Sequence, residues 1–209
     1  ISASLSLEEV LKLIVTNVVK VMNVKASLLR LLNKETNQLE LAAYHGLSQS
    51  YADKGPVAYD ASIDDALAGK SVSIYDITAD RSAKYRKEAE REGIRSILSI
   101  PLRFKDEVIG VLRMYTAEPT EYSEEDLKFV TAIAEQAAIA IMNARVFEKM
   151  VSIEREYLNV FQAVTRAVSS TLDVNEVINM IVRKIPEVMN LKAATIRLLD
   201  DTGKKLRLV

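Results

Sequence analysis

The sequence predicts an α+β fold: a largely antiparallel sheet between two terminal helices, followed by a long linker helix. Three observations point there. Helical apolar periodicity marks both ends of the first 147 residues. Between them the order helix, strand, strand, loop, strand, helix, strand, strand, helix lacks the regular strand–helix alternation of a parallel sheet. Beyond Pro119, no Pro or Gly occurs from Thr120 to Ile185, so one helix has room to run far past a single domain.

The elements follow in order. Ser6-Leu7-Glu8-Glu9 is a capping box, because a serine hydroxyl and a glutamate three residues on can satisfy each other's backbone N–H groups. Leu7, Val10, Leu11, Ile14, Val18 and Val21 then form a helical stripe that ends at Met22-Asn23. Strands are expected at about Ala26–Leu32 and Gln38–Tyr44 around a turn at Asn33–Asn37. Tyr51 to Asp60 has loop character. A short helix at Ser62–Ala68 stops at Gly69, and Ser71–Ile77 reads as a strand. Ser82–Glu92 is a charged helix closed by Gly93. Ser96–Phe104 and Glu107–Thr116 are a strand pair joined at Lys105-Asp106. Ser123-Glu124-Glu125-Asp126 opens the long helix, and Ser169-Ser170-Thr171 is its expected break.

An internal repeat adds detail. Residues 5–42 lie on 172–209 without a gap and agree at 15 of 38 positions, among them Val21-Met22-Asn23 and Arg30-Leu31-Leu32 with Val188-Met189-Asn190 and Arg197-Leu198-Leu199. The comparison separates the faces of the first strand. Leu29/Ile196 and Leu31/Leu198 stay aliphatic, whereas Leu28/Thr195 and Arg30/Arg197 share the opposite face. The expected organisation is a domain at 1–147, a linker helix at 148–171 continuous with its last helix, and the opening part of a second such domain at 172–209. The chain thus reads as a cut through a tandem array. Alone, residues 172–209 supply too little to bury a core.

Composition excludes several chemistries. With 28 Lys+Arg against 29 Asp+Glu, no single-sign field exists to draw nucleic acid or an anionic membrane. Zero cysteine removes disulfides, thiolate nucleophiles, zinc–thiolate sites and thioether-linked chromophores. No uninterrupted apolar run reaches the ~18 residues of a membrane span. A cytoplasmic location is expected. No paired carboxylates, nucleophile–base set or Gly-rich phosphate loop is evident, so no catalysis is expected.

In order along the chain, SLEEVLKLIVTNVVKVMNVKASLLRLL, LELAAYHGL, ALAGKSVSIYDI, EGIRSILSIPLRFKDEVIGVLRMY and YSEEDLKFVTAIAEQAAIAIMNARVFE resemble a GAF domain over residues 5–147. The stretch holding Gly93, Arg95, Ser96, Pro101, Leu102 and Gly110 is the most diagnostic. The resemblance implies a GAF-like (PAS-like) twisted sheet of about six strands. Its N- and C-terminal helices would cover one face, and loops and short helices would roof a ligand pocket on the other. It also implies a sensing module in a signalling protein. Within that frame Gly110 is expected where a side chain would obstruct packing, Pro101 near a strand end or bulge, and Asp76 as a turn cap. The Asn of the cyclic-nucleotide motif is missing around Arg103-Phe104-Lys105-Asp106-Glu107, so that ligand is unsupported. The bilin-binding and methionine sulfoxide reductase relatives need cysteines that this chain lacks.

Candidate sites follow from both lines. Arg30 and Arg113 each interrupt an apolar strand. Two guanidiniums on one face would hold a carboxylate or phosphate, or would simply pair with Glu40 or Asp residues or reach solvent. Tyr44, Tyr59, Tyr75 and Tyr115 are the aromatic lining expected on the roof side. His45, the only histidine, precedes Gly46 at a strand end with no second ligand type nearby, so haem is not expected. On the long helix, heptad positions Val130, Ala137, Ala144, Val151 and Leu158, with Phe147 and Phe161, predict a parallel homodimeric seam. The expected function is a non-catalytic sensor that binds an unidentified small molecule and relays the signal through a dimeric helix to an output domain. The alternative is a ligand-free dimerisation or spacer module.

Overall fold

A computed structural model of the chain describes residues 6–53, 61–80, 85–170, 174–189, 191–199 and 205–208. Contacts divide the chain into two compact units, 1–146 and 147–209.

The first unit opens with α1 (Leu7–Met22), capped as the sequence requires: Glu9 N donates to Ser6 Oγ, and Ser6 N donates to Glu9 Oε2 at 2.8 Å. Asn23 ends it in the left-handed region, at φ 50°. Then come β1 (Ala26–Asn33), β2 (Gln38–His45), α2 (Gln49–Ala52), α3 (Ala61–Leu67), β3 (Val72–Ile74), α4 (Arg86–Glu92), β4 (Ser96–Phe104) and β5 (Glu107–Thr116). The helix α5 runs from Glu124 to Ser170 and crosses the boundary between the units. All strand pairs are antiparallel, in the order β2-β1-β5-β4-β3. Five strands form this sheet, against the six or so expected. Of the expected elements, 54–60 and 81–84 lie outside the described residues.

The sheet has two different faces. Leu29, Leu31, Leu98, Ile100, Leu112 and Met114 face one core with Leu11, Val15 and Val18 of α1. Val130, Ala134, Ala137, Ala138 and Ile141 of α5 close that core. Ser27 is buried on the same side and donates to the Val15 carbonyl at 2.7 Å, which ties β1 to α1. On the roof face, Ala26, Leu28, Ile97 and Tyr115 meet Tyr51, Ala52, Ala89 and Ile94. Thus both terminal helices pack on one face and the short helices on the other.

Two glycines constrain this arrangement in different ways. A Cβ on Gly110 would sit 2.3 Å from the Arg30 carbonyl oxygen, so only hydrogen permits the approach of β5 to β1. Gly93 closes α4 at φ 69°, where an added Cβ would meet only the tip of the Lys25 side chain at 4.0 Å. Pro101 lies in β4 beyond the last residue paired with β3, so its missing N–H interrupts no ladder bond on that side.

The roof is knotted to the approach of α5 by Arg95 and Ser96. Asp76 caps its turn by accepting from Thr78 N at 2.9 Å, and its other oxygen takes Arg95 Nη2 at 2.5 Å. Ile77 N donates to Arg95 O, and Arg95 N donates to Thr116 O. The buried Ser96 hydroxyl donates to the Tyr75 carbonyl and accepts from Thr120 N at 2.7 Å. This chain of bonds explains why β3 stops at Ile74 instead of reaching Ile77: the backbone beyond it is spent on the turn and on Arg95.

Three seam positions predicted on the long helix need correction. Val130, Ala137 and Ala144 are 0%, 5% and 6% exposed, and the first two belong to the chain's own core. That stretch lies on the sheet, so its apolar side is already covered. By length and composition a stretch within Glu124–Ala163 is apolar enough to cross a membrane, although Glu135 and Arg145 interrupt it. Here its first half serves as a core helix. The outer side of α1 and α5 leaves a groove of about 450 Å³ lined by Leu13, Val21, Phe129 and Ile133.

In the second unit, α5 continues to Ser170. It is followed by α6 (Val174–Met189) and the hairpin β6 (Arg197–Leu199) and β7 (Leu206–Leu208). The hairpin pairs Arg197 with Leu208, Leu198 with Arg207 and Leu199 with Leu206. This is the register of Arg30 with Leu41, Leu31 with Glu40 and Leu32 with Leu39, moved by the repeat spacing.

Two expectations follow. Gly110→Ala should cost about 2–4 kcal/mol, because backbone must move, whereas Gly93→Ala should cost about 1–2 kcal/mol, from its left-handed φ alone. Urea unfolding of both variants measures the difference. The second concerns acid. Hydrogen bonds from Arg95, then Thr78, hold the Asp76 carboxyl well below the ordinary aspartate range. Its stabilisation is therefore present above the ordinary aspartate pKa and lost as pH falls below it. Thermal melts should show Asp76→Asn less stable than wild type at pH 7, with the gap closing as pH falls to 2.

Candidate functional site

The site is the roof face of the central strands. Strand alternation places Leu28 and Arg30 of β1 on that face together with Val111, Arg113 and Tyr115 of β5. Leu28 stands opposite Arg113 and Arg30 opposite Val111, so the two arginines are diagonal neighbours. On β4, Ser99 pairs with Arg113. The register slips between Leu29 and Arg30 where β1 meets β2, a bulge next to the arginine.

Both guanidiniums are buried, with Arg30 at 7% and Arg113 at 3% exposure. Arg30 Nη1 donates to the Leu39 carbonyl at 3.3 Å, and Nη2 to the Ala52 carbonyl at 3.2 Å. Its hydrogen-bond acceptors are therefore backbone oxygens. Glu40, a partner considered from sequence, accepts from Asn33 Nδ2 instead. Burial pushes the Arg30 guanidinium below its usual pKa. Tyr115 acts against that shift, the neighbouring positive charge of Arg113 adds to it, and Tyr85 and Asp53 oppose it. Arg113 Nε donates to Ser99 Oγ at 3.0 Å. Tyr115 packs edge-on to Tyr51, with ring centroids 5.8 Å apart and planes at 87°. The arrangement is a positively charged, aromatic-walled floor, suited to an anionic group on a small apolar body.

The predicted residues divide as follows. Arg30, Arg113 and Tyr115 come together. Tyr44 is opposite Leu28 on the edge strand and 36% exposed, so it stands at the margin. Tyr75 is 58% exposed just past β3, away from the buried floor; its contribution is the carbonyl that Ser96 engages. Tyr59 lies outside the described residues. Two members were missed. Ser99 was legible in principle, since it alternates with Ile97 and Pro101 on β4. Tyr51 carried no local signal, because its burial comes from α2 folding onto Tyr115. His45 is exposed at the end of β2. Among the described residues no group of His, Asp or Glu is arranged to hold a metal ion.

On α5 the remaining seam residues are open. Phe147, Leu158 and Phe161 are exposed, and Val151 is half-buried.

The fold has many solved counterparts. A GAF domain from a phosphoenolpyruvate-protein phosphotransferase of Coxiella burnetii is 23% identical with a TM-score of 0.61, over 70% of this chain and 89% of that one. The GAF domain/HD domain protein from Geobacter sulfurreducens is 17% identical with a TM-score of 0.57, over 67% and 94%. The blue-light absorbing form of the Thermosynechococcus elongatus PixJ GAF domain is 13% identical with a TM-score of 0.56, over 70% and 90%. At these identities the likeness is one of fold. No curated protein sequence matches the chain. The family model described as GAF domain matches residues 4–142. GAF domains are sensor and regulatory modules of signalling proteins. With that match covering most of its length and the five-strand sheet roofed as described, the chain belongs to the GAF domain family.

Proposed function

We propose that this chain is a non-catalytic sensor module that binds a small molecule carrying a carboxylate or phosphate on its roof face. One observation carries the reading: two guanidiniums lie buried side by side on the face away from the terminal helices. Two guanidiniums on one face present planar forks of N–H donors that match a carboxylate or phosphate. Arg30 and Arg113 hold the anionic group, and Tyr115, Tyr51 and Leu28 receive the apolar remainder.

The signal leaves through α5. The Asp76–Arg95 and Ser96–Thr120 bonds join the roof to the segment entering that helix. A ligand that favours one roof arrangement therefore favours one position of the helix entry. Two copies pair through α5, and the paired helices pass the change to an output domain. Residues 172–209 repeat the opening of the same domain, a reading supported by the 15 shared positions and the shared hairpin register.

A second reading has its own support. Arg30 donates to the protein's own carbonyls, and Tyr51 packs on Tyr115, which suits a ligand-free dimerisation or spacer module.

Calorimetry and thermal shift against a panel of phosphates, 2-oxo acids, amino acids and nucleotides separate the two. The sensor reading expects at least one anionic metabolite to bind while its neutral analogue does not. Arg30→Lys and Arg113→Lys keep the charge but lose the fork, and each should weaken that binding at least tenfold. A panel without a binder supports the spacer reading, and binding indifferent to both substitutions removes Arg30 and Arg113 from the binding site.

A further inference from the structure

The part of α5 in the second unit carries an apolar stripe with one charge inside it. Phe147, Met150, Ile153, Tyr157, Leu158 and Phe161 are 43–70% exposed. Apart from the adjacent Tyr157 and Leu158, which stand side by side across the stripe, their spacings of three and four place them on one helix face. Glu154 lines the same shallow groove, between Phe147 and Phe161. Six side chains of this size, about half exposed, offer roughly 600 Å², most of the ~800 Å² that each partner gives to a standard interface. Residues 147, 151, 154, 158 and 161 follow the 3.5-residue repeat of a helix that pairs with one like itself. The occupant that fits both the area and the repeat is a second copy of this chain, parallel and in register.

That pairing sets Glu154 of one copy against Glu154 of the other. Opposed carboxylates at an inward position repel, and water leaving the seam strengthens the repulsion. The adjacent basic residue, Arg155, stands on the flank of the stripe, where it screens the pair without separating it. We propose that Glu154 is a charge defect that keeps the α5 pair weak and close in free energy to an alternative helix arrangement. A leucine at this position would complete a permanent coiled coil, and a ligand with modest preference for one arrangement would no longer shift it. The inference rests on the dimeric relay proposed above and adds the residue that sets its strength.

Sedimentation equilibrium of the full chain tests it, with wild type, Glu154→Gln and Glu154→Leu compared. The expected result is a reversible wild-type dimer, several-fold tighter with Gln and at least tenfold tighter with Leu. Glu154→Cys adds a geometric check, because the chain has no native cysteine. Mild oxidation of a dimeric Glu154→Cys sample should link the two copies through residue 154. A dimeric wild type whose affinity ignores the Gln and Leu substitutions, or a dimeric Cys variant that does not link, overturns the inference and leaves the dimer standing. Wild type and all variants monomeric at millimolar concentration overturn the dimer itself, and with it a second copy as the occupant of this face.

Discussion

The close approach of β1 and β5 is the constraint on which the rest depends. These strands are the centre of the sheet, and Gly110 lets them meet without a side chain between them. Their register then decides what each face becomes. Leu29, Leu31, Leu112 and Met114 go to the side covered by α1 and α5. Leu28, Arg30, Arg113 and Tyr115 go to the roof. A slip of one residue between the two strands would carry one guanidinium in among aliphatic side chains and turn that strand's leucines to the roof, so the pairing is strongly specified.

The two faces carry different physics. The helix side is an aliphatic core in which the buried Ser27 hydroxyl is satisfied by an α1 carbonyl. The roof side holds charge, aromatic edges and a bulge, features that stabilise poorly but recognise well. The bonds of Arg95 and Ser96 cross from the roof to the entrance of α5 without passing through the aliphatic core.

Much of the fold was legible because local signals agreed with tertiary need. The Ser6 capping box, the Lys105-Asp106 turn and the two-faced first strand all appear where the sequence places them. What could not be read depended on partners distant in sequence. Strand β3 is cut short because Asp76 turns toward Arg95, nineteen residues away. Tyr51 becomes buried only when α2 meets Tyr115. The heptad pattern over Val130 and Ala137 was real, but a chain's own sheet and a partner helix make the same demand for an apolar face. At the site, the arginine pair was visible from strand alternation, whereas the acceptors of Arg30 were not, since backbone carbonyls leave no trace in sequence.

The β1–β5 register sets both arginines on the roof. Cross-strand nuclear Overhauser contacts measure it directly. The expected result is a set of contacts pairing Leu29 with Leu112 and Leu28 with Arg113 across the antiparallel strands. Contacts pairing Leu28 with Leu112 or with Met114 instead would place Arg113 on the helix side and contradict it.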